Sequence, residues 1–480
     1  MPRRGLQIGA VTELCAAEGR RNRCDERINT SFGRRSMDYL QDSHRSLFRR
    51  LLPSAIGAML SETVASLIDA LILSKYLGPD MLSTISIVMP IYIFVNTLSI
   101  LIVSGGATLF AQALGREDRQ EAQRCYTCSI LMMVLCGAVL TAGGLAFPET
   151  IIRALGADGV ALAPTLGYSR VLFAFMIPLV LYQQLMIYVR FDGAPILSLV
   201  STIVCAAVNL GLDVLFVGPM QLGAPGAALA TCLAYTVAML INAAHLLSRK
   251  NGLVLRRGSL TGKRVLRILK TGIPLSVTQL GMAVATSIFN VQLLRVGGVM
   301  FQDIYSVITQ LSVVAMALYE GIAQACQPIM AACFGAGNRE RLTKTLRWGF
   351  RMELGAMVFA TLLYLLLAGT VARLFSMTEA PIHDTAVYAV RAYACSLLFT
   401  GFNTMIIYYF QVQERSATAT VITLLSGTLL PVAALYALSP LREGLGVWWC
   451  YLPAQGLTLL ISALLYFKDK QNNLRASATT

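Results

Sequence analysis

Apolar residues recur along this chain in runs long enough to span a lipid bilayer. About 20 apolar residues in a helix are needed to cross a hydrocarbon core of ~30 Å. Charge-free runs of about this length or longer occupy most of the sequence after residue 80: 81–115, 125–148, 171–189, 193–212, 214–248, 271–294, 354–372, 392–413, 416–441 and 444–467. Pro and Gly mark the breaks within the longest runs. The pattern predicts an all-α polytopic membrane protein.

Run length and helix breakers together predict twelve transmembrane helices. They are expected at about 51–75, 84–110, 125–147, 165–189, 196–217, 223–247, 271–295, 304–334, 348–373, 386–412, 416–438 and 444–467. An even number of spans puts both termini on one side of the membrane. The scheme predicts an N-terminal lobe at 51–247, a basic linker at 248–270, a C-terminal lobe at 271–467 and a C-terminal tail at 468–480.

The distribution of positive charge tests this scheme. Of the 39 Lys and Arg residues, 32 fall on the side assigned to the termini and 7 on the other. Because cytoplasmic loops are enriched in Lys and Arg, both termini are expected in the cytoplasm. The net charge of +14 is then a topology signal and an attraction to anionic lipid, and nucleic-acid binding is not expected.

Composition supports a lipid environment and argues against bound cofactors. Hydrophobic residues make up 56% of the chain and charged residues 13%, about half the charge of a typical soluble domain. Most of the eleven cysteines lie in apolar segments, where cysteine is usually a small packing residue. With three histidines, a zinc or haem site is not expected, and no cofactor is predicted.

The first fifty residues differ from the rest in being polar and rich in arginine. They lack the apolar stretch of a signal peptide, so 1–50 is interpreted as a basic cytoplasmic tail. An alternative interpretation takes Met37 as the start, which would make 1–36 an over-called or disordered extension.

The two halves of the chain repeat. A-Q-A-L-G-R-E-D follows the second predicted helix and A-A-C-F-G-A-G-N follows the eighth, so that Gly115 aligns with Gly335 at an offset of 220 residues. Nearly the same offset relates Pro53 to Pro274. Two six-helix lobes repeated in the same orientation imply a pseudo-twofold axis along the membrane normal, which is typical of secondary transporters.

Polar side chains in three helices of the first lobe fall at one depth. Asp69 lies six residues before Lys75 at the outer end of helix 1, roughly 9 Å deep at 1.5 Å per residue. Asp213 is near the outer end of helix 5, with Asn209 one turn away on the same face. Thr231 lies at similar depth in helix 6. These four residues predict a cation-coupling site, either for Na⁺ on oxygen ligands or for a proton. Hydrogen bonding between packed helices is the alternative.

A second group of polar residues predicts a substrate cavity. Glu320 lies near the middle of helix 8, and Gln324 and Gln327 continue its polar stripe. A cavity lined by a carboxylate suits organic cations, although the same residues could form hydrogen bonds between helices. Glu62 in helix 1 is assigned to this cavity as well. Glu353, near the inner end of helix 9, is expected to snorkel towards water.

These residues resemble the multidrug and toxic compound extrusion (MATE) family, bacterial type. The resemblance is carried by S-L-I-D-A-L-I-L-S-K-Y-L-G, A-Q-A-L-G-R-E-D, N-L-G-L-D-V-L-F-V-G-P with L-G-A-P-G-A-A-L-A-T, and G-I-A-Q-A-C-Q-P-I-M-A-A-C-F-G-A-G-N. It covers 51–467 and implies a V-shaped antiporter that exports organic, often cationic and amphipathic compounds against inward Na⁺ or H⁺. The resemblance also implies a location in the bacterial inner (plasma) membrane. The four residues of the predicted coupling site match positions that the family uses for coupling.

The second lobe departs from the pattern that some family members show. At the positions that the repeat relates to Asp69 and Asp213, the chain has no carboxylate near Asn290 and Ala434. Coupling through acidic residues of the second lobe is therefore not expected, unless Glu320 substitutes for them.

Three other functions are alternatives to cation-coupled export. A flippase or exporter for lipid-linked precursors or metabolites, from the same superfamily, would require several cationic residues in its cavity. A membrane enzyme would require an Asp-rich metal motif or a buried His, and the sequence has neither, so no enzyme is expected. A channel would ordinarily show repeated filter segments or a ring of charges. The expected partners are a small organic substrate and membrane lipid, with the protein acting as a monomer.

Overall fold

The protein is described by a computed structural model over residues 37–77, 79–248, 251–375, 377, 379 and 381–478. Within these residues the chain is almost wholly α-helical and contains no strand. Its α-helices are α1 (His44–Leu77), α2 (Pro79–Gly115), α3 (Arg119–Ala146), α4 (Pro148–Ala154), α5 (Leu162–Ala174), α6 (Met176–Phe191), α7 (Pro195–Val217), α8 (Gly223–Ala243), α9 (Gly262–Gly335), α10 (Arg339–Leu374), α11 (Ile382–Val412), α12 (Ser416–Leu424), α13 (Leu430–Leu438) and α14 (Tyr451–Ala478).

The described helices make up the twelve predicted spans. Nine of them are long and apolar enough to cross a membrane, and α12 with α13 form a tenth span at Ser416–Leu438. The α5 and α6 helices form an eleventh span that bends by 54°. The twelfth comes from α9, whose 74 residues would extend about 110 Å at 1.5 Å per residue. Gly298 divides it with φ 65° and ψ −157°, a conformation open to glycine because it has no Cβ. The prediction of an all-α, twelve-span membrane protein is confirmed.

The last helix begins later and ends later than the sequence predicts. Gly444 has φ 92°, outside the α-helical region, and a 3₁₀ segment at Leu441–Trp449 precedes α14. At the other end, helix continues through most of the expected tail 468–480. Asp469 attaches this end of α14 to its neighbours. Its carboxylate accepts a hydrogen bond from Tyr409 Oη at 2.9 Å and forms an ion pair with Arg415 at 2.5 Å.

The segment before α1 is docked against the helices from Met37 onward. Tyr39 Oη donates to the carbonyl of Phe191 at 2.8 Å, and Arg341 Nε donates to the carbonyl of Tyr39 at 2.9 Å. Leu47, in the first turn of α1, is fully buried. Residues 37–50 therefore contact α6 of the first lobe and α10 of the second. The two alternatives for 1–36 concern residues outside the described part of the chain.

The two lobes cross most closely where α2 passes α9, and glycines permit the approach. A Cβ at Gly115 would overlap the carbonyl oxygen of Ala332, and a Cβ at Gly335 would overlap that of Gln112. The repeat offset of 220 residues relates Gly115 to Gly335 and Gln112 to Ala332. The same contact is thus made twice, once in each direction, as a pseudo-twofold axis between the lobes requires.

Polar contacts between the lobes lie near this crossing. They are at the end of the molecule where residues 251–261 lead into α9, which we call the linker end. Gln112 Nε2 donates to the carbonyl of Val412 at 2.8 Å. Arg264 forms two hydrogen bonds with Glu121, at 3.1 and 3.0 Å. Such bidentate pairs between a guanidinium and a carboxylate are geometrically specific. They join the lobes at one end, as in a V-shaped transporter.

Replacing Gly115 with Ala should force the lobes apart at the linker end. The added methyl group overlaps backbone, which cannot rotate away, and overpacking of this kind costs about 1–3 kcal/mol. We expect a population in which the linker end is open, measurable as longer distances between spin labels on α3 and α10 in a cysteine-free background.

Gly143→Ala is the matched control, since nothing lies within 4 Å of the Cβ it would introduce. Its distances should equal those of the parent protein. Unchanged distances in Gly115→Ala would contradict the role of this crossing in holding the lobes together.

Candidate functional site

The four residues of the predicted coupling site come together in the first lobe. Asp69 lies on α1, Asn209 and Asp213 on α7, and Thr231 on α8; α7 packs against both of the other helices. Asn209 Nδ2 donates to Asp213 Oδ2 at 2.8 Å and to Thr231 Oγ1 at 3.3 Å. The carboxyl groups of Asp69 and Asp213 adjoin each other. The residues that the sequence placed at one depth on three helices thus form one cluster in space. Their role in ion coupling stays a prediction.

Two oxygens in this cluster lack a hydrogen-bond donor. Oδ1 of Asp69 and Oδ1 of Asp213 are buried and have no hydrogen-bond partner among the described residues. Two ionised carboxylates side by side in a low-dielectric interior would repel each other strongly. A proton shared by the pair would remove that repulsion. So would a Na⁺ ion held by the carboxyl oxygens and the Thr231 hydroxyl, a set of hard oxygen ligands. The ligand set therefore fits a proton or Na⁺.

No transition-metal site accompanies the cluster in the described part of the chain. There, no group of three or more His, Cys, Asp or Glu side chains is placed to hold a metal ion. The cluster has two carboxylates, and its other members are an amide and a hydroxyl.

Sequence reasoning missed a tyrosine pair beside the aspartates. Tyr168 on α5 interacts electrostatically with Asp69 and Asp213, and its hydroxyl lies 3.0 Å from that of Tyr92 on α2. Tyr168 is six residues into α5, so depth along the helix would have pointed to it. It was overlooked because most tyrosines in such helices are packing residues.

A second cluster lines a cavity of about 70 Å³ between the lobes. Glu320, Gln324 and Gln327 of α9 contribute to its wall, together with Tyr408 of α11 and Arg190 of α6. Three of the four residues assigned to a substrate cavity from the sequence are therefore brought together. The space suits a few water molecules, whereas pockets for drug-sized ligands typically measure ~300 Å³ or more.

Arg190 is the functional candidate that the sequence concealed. It ends a predicted helix and looked like a flanking charge, yet it is 1% exposed. Its Nη1 donates to Gln324 Oε1 at 2.9 Å, which connects α6 of the first lobe to α9 of the second. Nε and Nη2 are buried without a partner among the described residues. A guanidinium held this way keeps unused hydrogen-bonding capacity at the lobe interface.

Glu62 is not among the residues that line this cavity. It is exposed, and its carboxylate interacts with the Tyr182 hydroxyl and, electrostatically, with Arg190. Glu62 therefore borders the cavity cluster through Arg190, and its assignment to the substrate path stays a prediction.

Comparison with known proteins agrees with this architecture. The MatE family model matches the chain twice, at residues 54–215 and 274–436, which together exceed half of its length. The chain belongs to the MatE family. The two matches of this MATE transporter begin 220 residues apart, the offset that aligns Gly115 with Gly335.

Curated relatives of this MATE transporter include the multidrug export protein MepA. The Staphylococcus aureus (strain bovine RF122 / ET3-1) protein is 23% identical over 87% of this chain and 92% of its own length. The Staphylococcus haemolyticus (strain JCSC1435) protein is 24% identical over 89% and 95%.

Solved structures share the fold. One, described as an outward-facing conformation of a multidrug resistance MATE family transporter, superposes with a TM-score of 0.85 at 22% identity, covering 92% of this chain and all of the other. A Pyrococcus furiosus transporter of the MOP superfamily, described as having a reversed pocket polarity, gives 0.81 at 21% identity over 90% of this chain and 98% of its own. At such identities the likeness shows the fold alone.

The hydrogen bond between Asn209 and Asp213 can be measured by a double-mutant cycle with Asn209→Ala and Asp213→Ala. Hydrogen bonds to ionised groups contribute about 1.5–3 kcal/mol, and neutral ones about 0.5–1.5 kcal/mol. We expect a coupling free energy in the upper range when Asp213 is ionised and in the lower range when the pH is reduced enough to protonate it. Unfolding in sodium dodecyl sulfate provides the measurement.

Asn209→Ala combined with Thr236→Ala is the control pair. Thr236 bonds to the carbonyl of Cys232 in its own helix, so the two changes should add within about 0.5 kcal/mol. A coupling for Asn209 and Asp213 no larger than this control would show that the bond contributes nothing.

Proposed function

We propose that this MATE transporter is a secondary antiporter that exports organic, cationic and amphipathic compounds in exchange for inward H⁺ or Na⁺. The observation that carries the proposal is the Asp69–Asp213 pair: Oδ1 of each carboxyl group is buried without a donor among the described residues, and Oδ2 of Asp213 accepts a hydrogen bond from Asn209. Ionisable residues within the membrane are costly and are functional by default. Binding of a cation to this pair would lower that cost by reducing its negative charge.

Ion binding would act on the packing of α1. Asp69 belongs to α1, whereas its partner Asp213 belongs to α7. Repulsion between the two carboxylates favours an arrangement that separates these helices, and a bound proton or Na⁺ favours one that brings them together. An ion that binds one arrangement better shifts the equilibrium towards it, and the same difference changes the affinity for the exported compound. This is alternating access coupled to an ion gradient.

The exported compound would enter where the lobes now touch. The cavity beside Glu320 is about 70 Å³, so a drug-sized molecule fits only after the lobes part at the linker end. Parting breaks the bond between Arg190 and Gln324 and exposes Glu320, whose carboxylate attracts organic cations. Tyr408 adds an aromatic face on which a cation can also rest.

We further propose that the linker end faces the cytoplasm of a bacterial cell and that the protein works as a monomer. Its loops there carry most of the Lys and Arg residues, as positive-inside topology requires. The MepA relatives, described as multidrug export proteins in Staphylococcus, support export as the direction and a bacterial plasma membrane as the location. An enzymatic role is not proposed.

A flippase for anionic, lipid-linked compounds is the second candidate, and Arg190 is the observation that favours it. Among the described residues that line the cavity, however, Arg190 is the one cation, and Glu320 lines the same cavity. A single guanidinium beside a carboxylate suits an anionic headgroup poorly. Cation export is therefore the better supported function.

Asp213→Asn should abolish coupled export while leaving the protein in the membrane. Asparagine keeps the shape and cannot exchange a proton or neutralise Na⁺, so the coupling free energy of typically 1–3 kcal/mol, or 5–150-fold in affinity, is lost. We expect at least a tenfold decrease in the rate of cationic dye efflux from proteoliposomes under separately imposed Na⁺ and pH gradients.

Glu149→Gln serves as the control, because Glu149 is an exposed carboxylate paired with Arg153 at 2.9 Å. It should transport at the parent rate. Full efflux by Asp213→Asn under either gradient would reject the proposed coupling, and efflux that needs neither gradient in the parent protein would reject antiport.

A further inference from the structure

A buried carboxylate in the second lobe has no role in the mechanism above. Glu353 of α10 was expected to snorkel from near the inner end of its helix, but it is 0% exposed. Both of its carboxyl oxygens are buried without a hydrogen-bond partner among the described residues. The expectation fails because α9 and α11 pack against this face of α10. Snorkelling needs a path to water, and these helices close it.

The groups facing Glu353 offer it no counter-charge. Those with electrostatic interactions to it are Tyr319, Glu320 and Cys326 on α9 and Tyr408 on α11. None of these is cationic, and one is a second carboxylate. An ionised group buried without a partner is strongly unfavourable, so such a group neutralises itself. For a carboxylate, neutralisation means taking up a proton or a cation.

On the side of Glu353 that faces α11, the surroundings suit a proton better than a metal cation. A Cβ placed at Gly401 would lie 2.6 Å from Glu353 Oε2 and 3.0 Å from Met357 Sδ, so on this side the carboxyl group has helix backbone and a thioether beside it. A Cβ at Gly349, one turn earlier on α10, would meet Cys326 Sγ and the Met405 thioether. Na⁺ requires several oxygen ligands, and sulfur is a poor ligand for hard cations.

Glu353 is connected to the cavity between the lobes. Glu320 interacts with Glu353 and lines the cavity, as does Tyr408. The cavity has room for water, so Glu320 can exchange protons with it. Because neither Glu353 oxygen has a hydrogen-bond partner among the described residues, a proton would pass from Glu353 to Glu320 through an intervening water molecule. The O–H bond of the Glu353 carboxyl breaks, a new O–H bond forms on the Glu320 carboxylate, and the negative charge moves from Glu320 to Glu353. Nothing is oxidised or reduced.

We propose that Glu353 is a second proton-binding site, located in the C-terminal lobe and connected to the cavity through Glu320. The site is distinct from the Asp69–Asp213 pair in lobe, helices and surroundings. The importance of this site for transport rests on the proposed antiport. The binding of a proton to Glu353 does not depend on that proposal.

Infrared spectroscopy tests the site without transport. In lipid nanodiscs at neutral pH, with K⁺ as the one alkali cation, the protein should show the carbonyl band of a protonated carboxyl group, shifted in D₂O. Glu353→Gln should lower its area by one carboxyl group. Glu340→Gln, on the same helix but with a 79% exposed carboxylate, should leave the band unchanged. Adding Na⁺ should not displace the proton from Glu353, so the band that Glu353→Gln removes should keep its area.

A glycine variant keeps the test valid if Glu353→Gln fails to fold. Gly401→Ala pushes a methyl group against Glu353 Oε2 and leaves every titratable group in place, so the frequency of the same band should shift. Gly355→Ala, whose Cβ meets nothing within 4 Å, should not shift it. A band that is unchanged in area by Glu353→Gln, or unshifted by Gly401→Ala, would overturn the proposal.

The two proposals fail separately. Asp213→Asn should stop coupled efflux and leave the Glu353 band in place. If the protein shows the Glu353 band but neither a Na⁺ gradient nor a pH gradient drives transport, the proton site is supported and the proposed antiport is rejected. If a pH gradient drives transport but no infrared band depends on Glu353, the proton site is rejected and the proposed antiport is supported.

Discussion

A polar group that enters the hydrocarbon layer must find its partner within the protein, and the rest of this structure depends on that constraint. It makes the chain helical, because an α-helix satisfies its backbone groups within one segment. It also gives meaning to the buried charged groups that keep an unpartnered atom among the described residues, such as those of Asp69, Asp213, Arg190 and Glu353. Since leaving them unsatisfied is costly, each indicates a ligand, a proton or a second conformation.

The two lobes share the architecture of the internal repeat, but their buried acidic residues differ in position and surroundings. Where α2 crosses α9, Gly115 and Gly335 make equivalent contacts, as a pivot between like lobes requires. The acidic residues follow no such symmetry. In the first lobe Asp213 receives a hydrogen bond from an amide, whereas in the second both carboxyl oxygens of Glu353 lack a hydrogen-bond partner among the described residues. We therefore propose different tasks for the two lobes, with a proton or Na⁺ bound in the first and a proton in the second.

Periodicity and depth along helices were enough to predict the twelve spans and to bring Asn209, Asp213 and their partners to one level. Both depend on distances within a single helix, which the sequence contains. Arg190 and Glu353 were misjudged because their burial depends on which helices pack beside them, and such packing cannot be read from one segment. The backbone break at Gly444 was missed for a related reason, since a glycine in an apolar run is compatible with helix or turn.

The proposed proton site also bears on how the lobes separate. Glu320 and Gln324 lie one turn apart on α9, and the Gln324 amide interacts with the Glu320 carboxylate while its oxygen accepts from Arg190 across the lobe interface. An ionised Glu320 polarises that amide and strengthens its acceptance of the guanidinium, since linked hydrogen bonds reinforce one another. A protonated Glu320 weakens it. Proton uptake would therefore loosen the linker end, and proton loss would close it, which is the order of events that export driven by inward protons requires.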